Sequence, residues 1–152
     1  MDRKRLVEIL ESHNKWVNGE DGGICANLWG ADLRGAKNFN IPFSCPSDGA
    51  FVGWKKCRDG LIVKLQIPSS AKRLSATGRK CICDKAKVLA IQNEDGTNAK
   101  VEFATSCHDS SFIYRVGKYV SVGNFDEDRW NECSTGIHFF ITREEAVQYG
   151  VI

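Results

Sequence analysis

Two apolar runs on either side of a tight turn constrain this chain more than any other feature. Phe51-Val52-Gly53-Trp54-Lys55-Lys56-Cys57 is followed by Asp59-Gly60 and then by Leu61-Ile62-Val63-Lys64-Leu65-Gln66-Ile67. Asp-Gly tolerates the positive backbone angles of a short connection, so the segment predicts an antiparallel hairpin. Pro68 ends it, because proline has no N–H to give to a further ladder bond. Strand-like segments continue downstream. Lys87–Ile91 and Ala99–Phe103 flank Asn93-Glu94-Asp95-Gly96, a second hairpin signal. Phe112–Val116 and Lys118–Val122 read as a further pair of strands, and Ile137–Ile141 as a buried one. Thr142-Arg143-Glu144-Glu145 is a capping box, with Thr142 and Glu145 able to satisfy each other's backbone N–H groups. It opens a short helix through Ala146, Val147 and Tyr149 that Gly150 stops.

Upstream the period changes. Leu6, Ile9, Leu10, His13, Trp16 and Val17 recur every three or four residues, the mark of an amphipathic helix. Gly19 and Asp21-Gly22-Gly23 end it. A five-residue repeat follows: Ala26-Asn27-Leu28-Trp29-Gly30, Ala31-Asp32-Leu33-Arg34-Gly35, and a decaying Ala36-Lys37-Asn38. Pro42, Pro46, Ser47, Asp48 and Gly49 then mark a loop. The expected fold is α+β: an N-terminal helix, a short repeat remnant, and a mostly antiparallel β-rich C-terminal domain with a short final helix. The expected divisions are residues 1–24, 25–50 and 51–152.

The Ala-Asn/Asp-Leu units resemble the pentapeptide-repeat family, in which each unit forms one side of a square β-solenoid coil. Two and a half units fall short of a full coil, so here the segment is read as a remnant or cap. The combination of helix, repeat and β-rich module resembles a group of phage and prophage proteins whose C-terminal module is an uncharacterised domain of unknown function. The matching stretches are Ile67-Pro68, Thr77-Gly78-Arg79-Lys80-Cys81, Tyr114-Arg115-Val116-Gly117 and the run from Glu132 to Ala146. The resemblance implies a viral accessory protein and a shared fold. It implies no activity.

Composition narrows the class. With 152 residues, 42% hydrophobic and 26% charged, the chain is expected to be a soluble globular protein. It contains no run of 18 apolar residues, so no membrane partner is expected. Met1-Asp2-Arg3-Lys4-Arg5 leads into an amphipathic pattern unlike a secretory signal, and the expected location is the host-cell cytoplasm. The seven cysteines are expected to be reduced, mostly small buried side chains. Cys81-Ile82-Cys83 lacks the spacing of zinc ligands, so neither metal nor cofactor is expected.

Charge supplies the candidate site. Residues 55–87 carry ten basic side chains against Asp59 and Asp84, whereas residues 88–152 carry five against ten acidic ones. Within the basic block, Lys72-Arg73-Leu74-Ser75-Ala76-Thr77-Gly78-Arg79-Lys80 offers arginine forks, ammonium groups, hydroxyls and a glycine, the donors that phosphate recognition needs. Its spacing is not that of a Walker loop. The alternative is a solvated basic loop. The expected ligand-binding set is Lys72, Arg73, Ser75, Thr77, Arg79 and Lys80, joined by Tyr114, Arg115 and His138. Trp54, Tyr114, Tyr119 and Trp130 are candidates for stacking on a nucleobase. Cys133 with His138, and His108 beyond them, form a weaker nucleophile candidate. Asp126-Glu127-Asp128 reads as a solvated turn.

The expected function is a non-enzymatic phage accessory protein that sequesters a small anionic host ligand, a nucleotide immune signal, and assembles as a homo-oligomer. Duplex DNA is not an expected partner, since no helix carries the basic cluster. The alternatives are a protein–protein interaction module that inhibits a host effector, and a Cys/His-dependent enzyme.

Overall fold

The computed structural model describes residues 3–26, 42–76, 78–131 and 134–150. The chain divides into two compact units, Met1–Gly35 and Ala36–Ile152. In the first, helix α1 spans Arg3–Val17 and ends at Gly19, which takes a φ of 67°. The chain then folds back along the helix. The Ile24 N–H donates to the Ser12 carbonyl at 3.2 Å, and the Ala26 N–H donates to His13 Nδ1 at 3.2 Å. Gly23 permits this return, because a Cβ there would lie 2.2 Å from the Trp16 nitrogen. The repeat units beyond Ala26 fall within residues 27–41, outside the described residues.

Among its described residues the second unit has nine short strands. The first hairpin pairs β1 (Phe51–Lys56) with β2 (Ile62–Ile67), from Phe51 opposite Ile67 to Lys56 opposite Ile62. Asp59 and Gly60 both take positive φ, as the Asp-Gly signal requires. With β3 (Arg73–Ser75), β4 (Cys81–Cys83), β5 (Lys85–Gln92), β6 (Phe103–Thr105), β7 (Ile113–Arg115), β8 (Tyr119–Ser121) and β9 (Ile137–Phe139), the strands form three sheets: β1-β2-β5-β8, β3-β4-β9 and β6-β7. All pairings are antiparallel. Trp54 and Phe140 exchange backbone hydrogen bonds of 2.8 and 2.7 Å, which seam the first sheet to the end of β9. Helix α2 (Arg143–Gln148) starts with the expected box: the Glu145 N–H donates to Thr142 Oγ1, and the Thr142 N–H donates to Glu145. The α+β, β-rich architecture is as the sequence predicts.

Two pairings differ from expectation. The turn at Asn93–Gly96 forms, but pairing beyond it stops at the Gln92–Asn98 bridge, and Phe103 enters β6 opposite Arg115 of β7 instead. β7 and β8, expected to pair together, go to different sheets. The Gly117 N–H donates to the Val88 carbonyl and the Val88 N–H donates to the Lys118 carbonyl, so β5 takes the hydrogen bonds of this segment. Cys45, Cys57, Cys81 and Cys83 are buried free thiols. Among the described residues no helix is long and apolar enough to cross a membrane.

Gly53 sets how closely β1 can lie against β9. A Cβ there would meet the ring of fully buried Phe139 at 2.5 Å. Gly53→Ala is therefore expected to cost about 1–3 kcal/mol. Urea unfolding should show a lower midpoint with an unchanged slope.

Candidate functional site

Strand alternation decides what β1 buries. Gly53 and Lys55 face inward, followed by buried Cys57, while Trp54 and Lys56 are only half-buried. A lysine thus stands at a core position, with only 8% of its surface exposed. Its Nζ donates to the His138 carbonyl at 3.2 Å and lies 5.9 Å from the centroid of the Tyr114 ring. Among the described residues no carboxylate pairs with it. Neighbouring Cys57 offers no charge, because burial pushes its thiol pKa up to about 12. Burial drives the Lys55 pKa below the ordinary lysine value, and the charge on Lys80 adds to the push.

Lys55 stands at the wall of a cleft of about 520 Å³. Lys80, just before β4, brings a second cation, and His108 and His138 bring two imidazoles. Phe112, Tyr114 and Tyr149 contribute aromatic surface. Ser106 and Ser134 contribute hydroxyls, and Ser134 Oγ is buried without a hydrogen-bond partner among the described residues. Asp109 also lines the cleft. Its carboxylate accepts from the Ser111 hydroxyl at 2.6 Å and the Ser111 N–H at 2.8 Å, which lowers its pKa. His138 Nε2 lies 3.1 Å from the Ser134 carbonyl. Burial, reinforced by Lys55 and Lys80, drives its pKa down to about 4, so at neutral pH the ring has one donor and one acceptor nitrogen.

The residues predicted from sequence divide around this cleft. Lys80, Tyr114 and His138 meet in it. The rest of the basic nonapeptide does not form a cradle. Arg73 is buried, and its guanidinium donates to the carbonyls of Ala71 (3.1 Å), Gly49 (2.6 Å), Pro68 (2.6 Å) and Ser69 (3.1 Å) while stacking over Phe51. Ser75 is buried and accepts the Ser44 N–H at 2.8 Å. Lys72 is exposed and paired with Glu127, and Arg79 is paired with Glu145 at 2.6 Å. Arg115 is exposed on the face of β7 opposite Tyr114 and lies over the Phe103 ring. Thr77 and Cys133 lie outside the described residues. Backbone carbonyls and carboxylates close at hand have taken up the donors that a free phosphate would need. Among the described residues no group of three His, Cys, Asp or Glu side chains could hold a metal ion.

Sequence reasoning missed Lys55, yet a signal was present. In Phe51-Val52-Gly53-Trp54-Lys55-Lys56-Cys57 two adjacent lysines must point to opposite faces, so one of them has to enter the core.

The fold and cleft define a class: a small α+β module whose antiparallel sheets gather a buried lysine, two imidazoles and aromatic rings around one opening. Residues 41–146 match a family of unknown function (DUF5758), and the chain belongs to that family. No curated protein and no solved structure matches the chain.

Two outcomes follow from these placements. Arg73→Met removes the guanidinium from four carbonyls, that of buried Ala71 among them, and is expected to destabilise the protein by about 2–4 kcal/mol, read by chemical unfolding. His138 is neutral in the fold down to about pH 4 but protonates near its ordinary 6.5 when unfolded. The unfolded chain therefore binds the extra proton in this window, and stability falls as pH drops through it. The contribution is on the order of 3 kcal/mol, and His138→Gln should flatten that part of the stability–pH curve.

Proposed function

We propose that the protein is a phage accessory protein that binds and sequesters a small anionic host ligand, a nucleotide immune signal by class, without transforming it. The observation that supports this reading is Lys55, a buried cation with no paired carboxylate among the described residues, opening on a cleft. Burying an ion is expensive unless an opposite charge or a full set of hydrogen bonds offsets it. A phosphate in the cleft would supply that charge, and Lys80 would share it. The orphaned Ser134 hydroxyl and the imidazoles suit phosphate oxygens. Phe112, Tyr114 and Tyr149 suit an aromatic base. The volume lies within the range of roughly 300–1,000 Å³ usual for small-molecule sites. Assembly into a homo-oligomer would help to enclose a ligand held at an open cleft.

A second reading, a protein-binding module directed at a host effector, is favoured by the exposed apolar side chains of Phe103, Val116 and Tyr119. Arg115 lies over the Phe103 ring and Lys87 over that of Tyr119.

The test is thermal unfolding of the full chain with ATP, GTP and cyclic dinucleotides. A nucleotide present at a hundred times its Kd should raise Tm by roughly 5–10 °C. Lys55→Met should abolish the shift and Lys80→Met should weaken it, whereas Arg79→Ala, whose guanidinium is held by Glu145, should retain it. No shift with any nucleotide, or a shift unchanged in Lys55→Met, would remove this reading.

A further inference from the structure

We propose that Lys55 captures carbonyl groups: the cleft takes a small molecule bearing both an anionic group and an aldehyde or ketone, with Lys55 Nζ condensing on the carbonyl carbon while Lys80 holds the anion. The inference rests on reading the cleft as an anion site and adds the chemistry of its deepest amine.

An amine attacks a carbonyl only as the free base, and an ordinary exposed lysine is protonated at neutral pH. Two conditions release the proton: removal from water and a second cation nearby. Lys55 meets both, being almost fully buried and sharing its cleft with Lys80. Two other described lysines of the basic block have carboxylate partners. Lys56 pairs with Glu94 at 2.9 Å and donates to the Val147 carbonyl at 2.9 Å, while Lys72 pairs with Glu127. The His138 carbonyl, the one Lys55 reaches among the described residues, accepts one N–H and leaves the nitrogen lone pair available once the proton is lost. Tyr114 beside it is a core residue, which keeps bulk water from one side.

The step balances without an oxidant. The nitrogen lone pair adds to the carbonyl carbon, the π electrons move to oxygen, and a proton passes from nitrogen to that oxygen. The resulting carbinolamine then loses its hydroxyl with a second nitrogen-bound proton as water. Amine and carbonyl become imine and water, and hydrolysis reverses the reaction.

Pyridoxal 5′-phosphate, an aldehyde that carries a phosphate, is the probe. The full chain is mixed with it at neutral pH, the imine is followed by absorbance, and borohydride reduction fixes it for peptide mass mapping. The expected result is a dominant adduct on Lys55. It should be lost in Lys55→Met and in the charge-preserving Lys55→Arg, and weakened several-fold in Lys80→Met or by excess inorganic phosphate. Pyridoxal without the phosphate should label poorly. Adducts spread over exposed lysines with Lys55 unmodified would overturn the proposal. A nucleotide-induced thermal shift that depends on Lys55, with no adduct there, would reject the imine while leaving the anion site standing. An adduct on Lys55 without a nucleotide shift would support carbonyl capture and reject the nucleotide.

Discussion

A lysine buried with no carboxylate paired to it among the described residues is the constraint around which the second unit is arranged. Lys55 enters the core because β1 alternates, and the sheet cannot turn it out without exposing Gly53 and shifting Cys57 from the interior. The fold offsets the cost only in part. The Trp54–Phe140 seam fixes the end of β9 beside β1, and this brings the His138 carbonyl within reach of Nζ. β7 brings the Tyr114 ring, whose negative face attracts the ammonium. One hydrogen bond and one ring do not replace the hydration of an ammonium. The balance has to come from deprotonation, which the lowered pKa expresses, or from an anion in the cleft. Both routes make Lys55 chemically distinct from the other lysines of the basic block.

The arginines show the opposite solution. Arg73 uses its fork to gather carbonyls from the turn before β3 and from the loop before β1. Arg129 donates to the carbonyls of Ser75 and Ala76 at the far end of the same strand. Arg143, at the start of α2, holds Gln92 and the carbonyls of Asn93 and Glu94 at the end of β5. Short strands such as β3 have few ladder bonds of their own, so a planar fork that joins several carbonyls does what a longer sheet would do by itself. Much of the positive charge that looks available in the sequence is therefore committed to holding loops. A lysine has no such fork, and among the described residues Lys55 and Lys80 are the cations of the basic block that line the cleft.

Local features were legible from the sequence wherever their cause was local. The Asp59-Gly60 turn, the Thr142–Glu145 box and the periodicity of α1 depend on residues a few positions apart, and each took the expected form. Strand partners were less legible. Whether Phe103 continues the hairpin from Gln92 or joins Arg115 depends on competition between distant segments for the same ladder bonds, and β5 spends its free edge on β8. The site failed to read as a cluster for the same reason. Lys72, Arg73 and Arg79 lie close in sequence to Lys80 but are drawn away by Glu127, by four carbonyls and by Glu145. The residues that do meet come from β1, β7, β9, the loops between β6 and β9, the residue before β4 and the one after α2.

The extent of the family match bears on where the chemistry resides. Lys55, Lys80, His108, Tyr114, Ser134 and His138 all fall within residues 41–146, and of the lining side chains only Tyr149 falls beyond it. The helix of the first unit and the repeat units before residue 39 lie outside the match. The cleft with its buried amine is thus assembled almost entirely from the part of the chain that defines the family. A ligand reading for this protein therefore rests on the module itself, on the inward parity of one lysine in a six-residue strand and the absence of a carboxylate paired with it among the described residues.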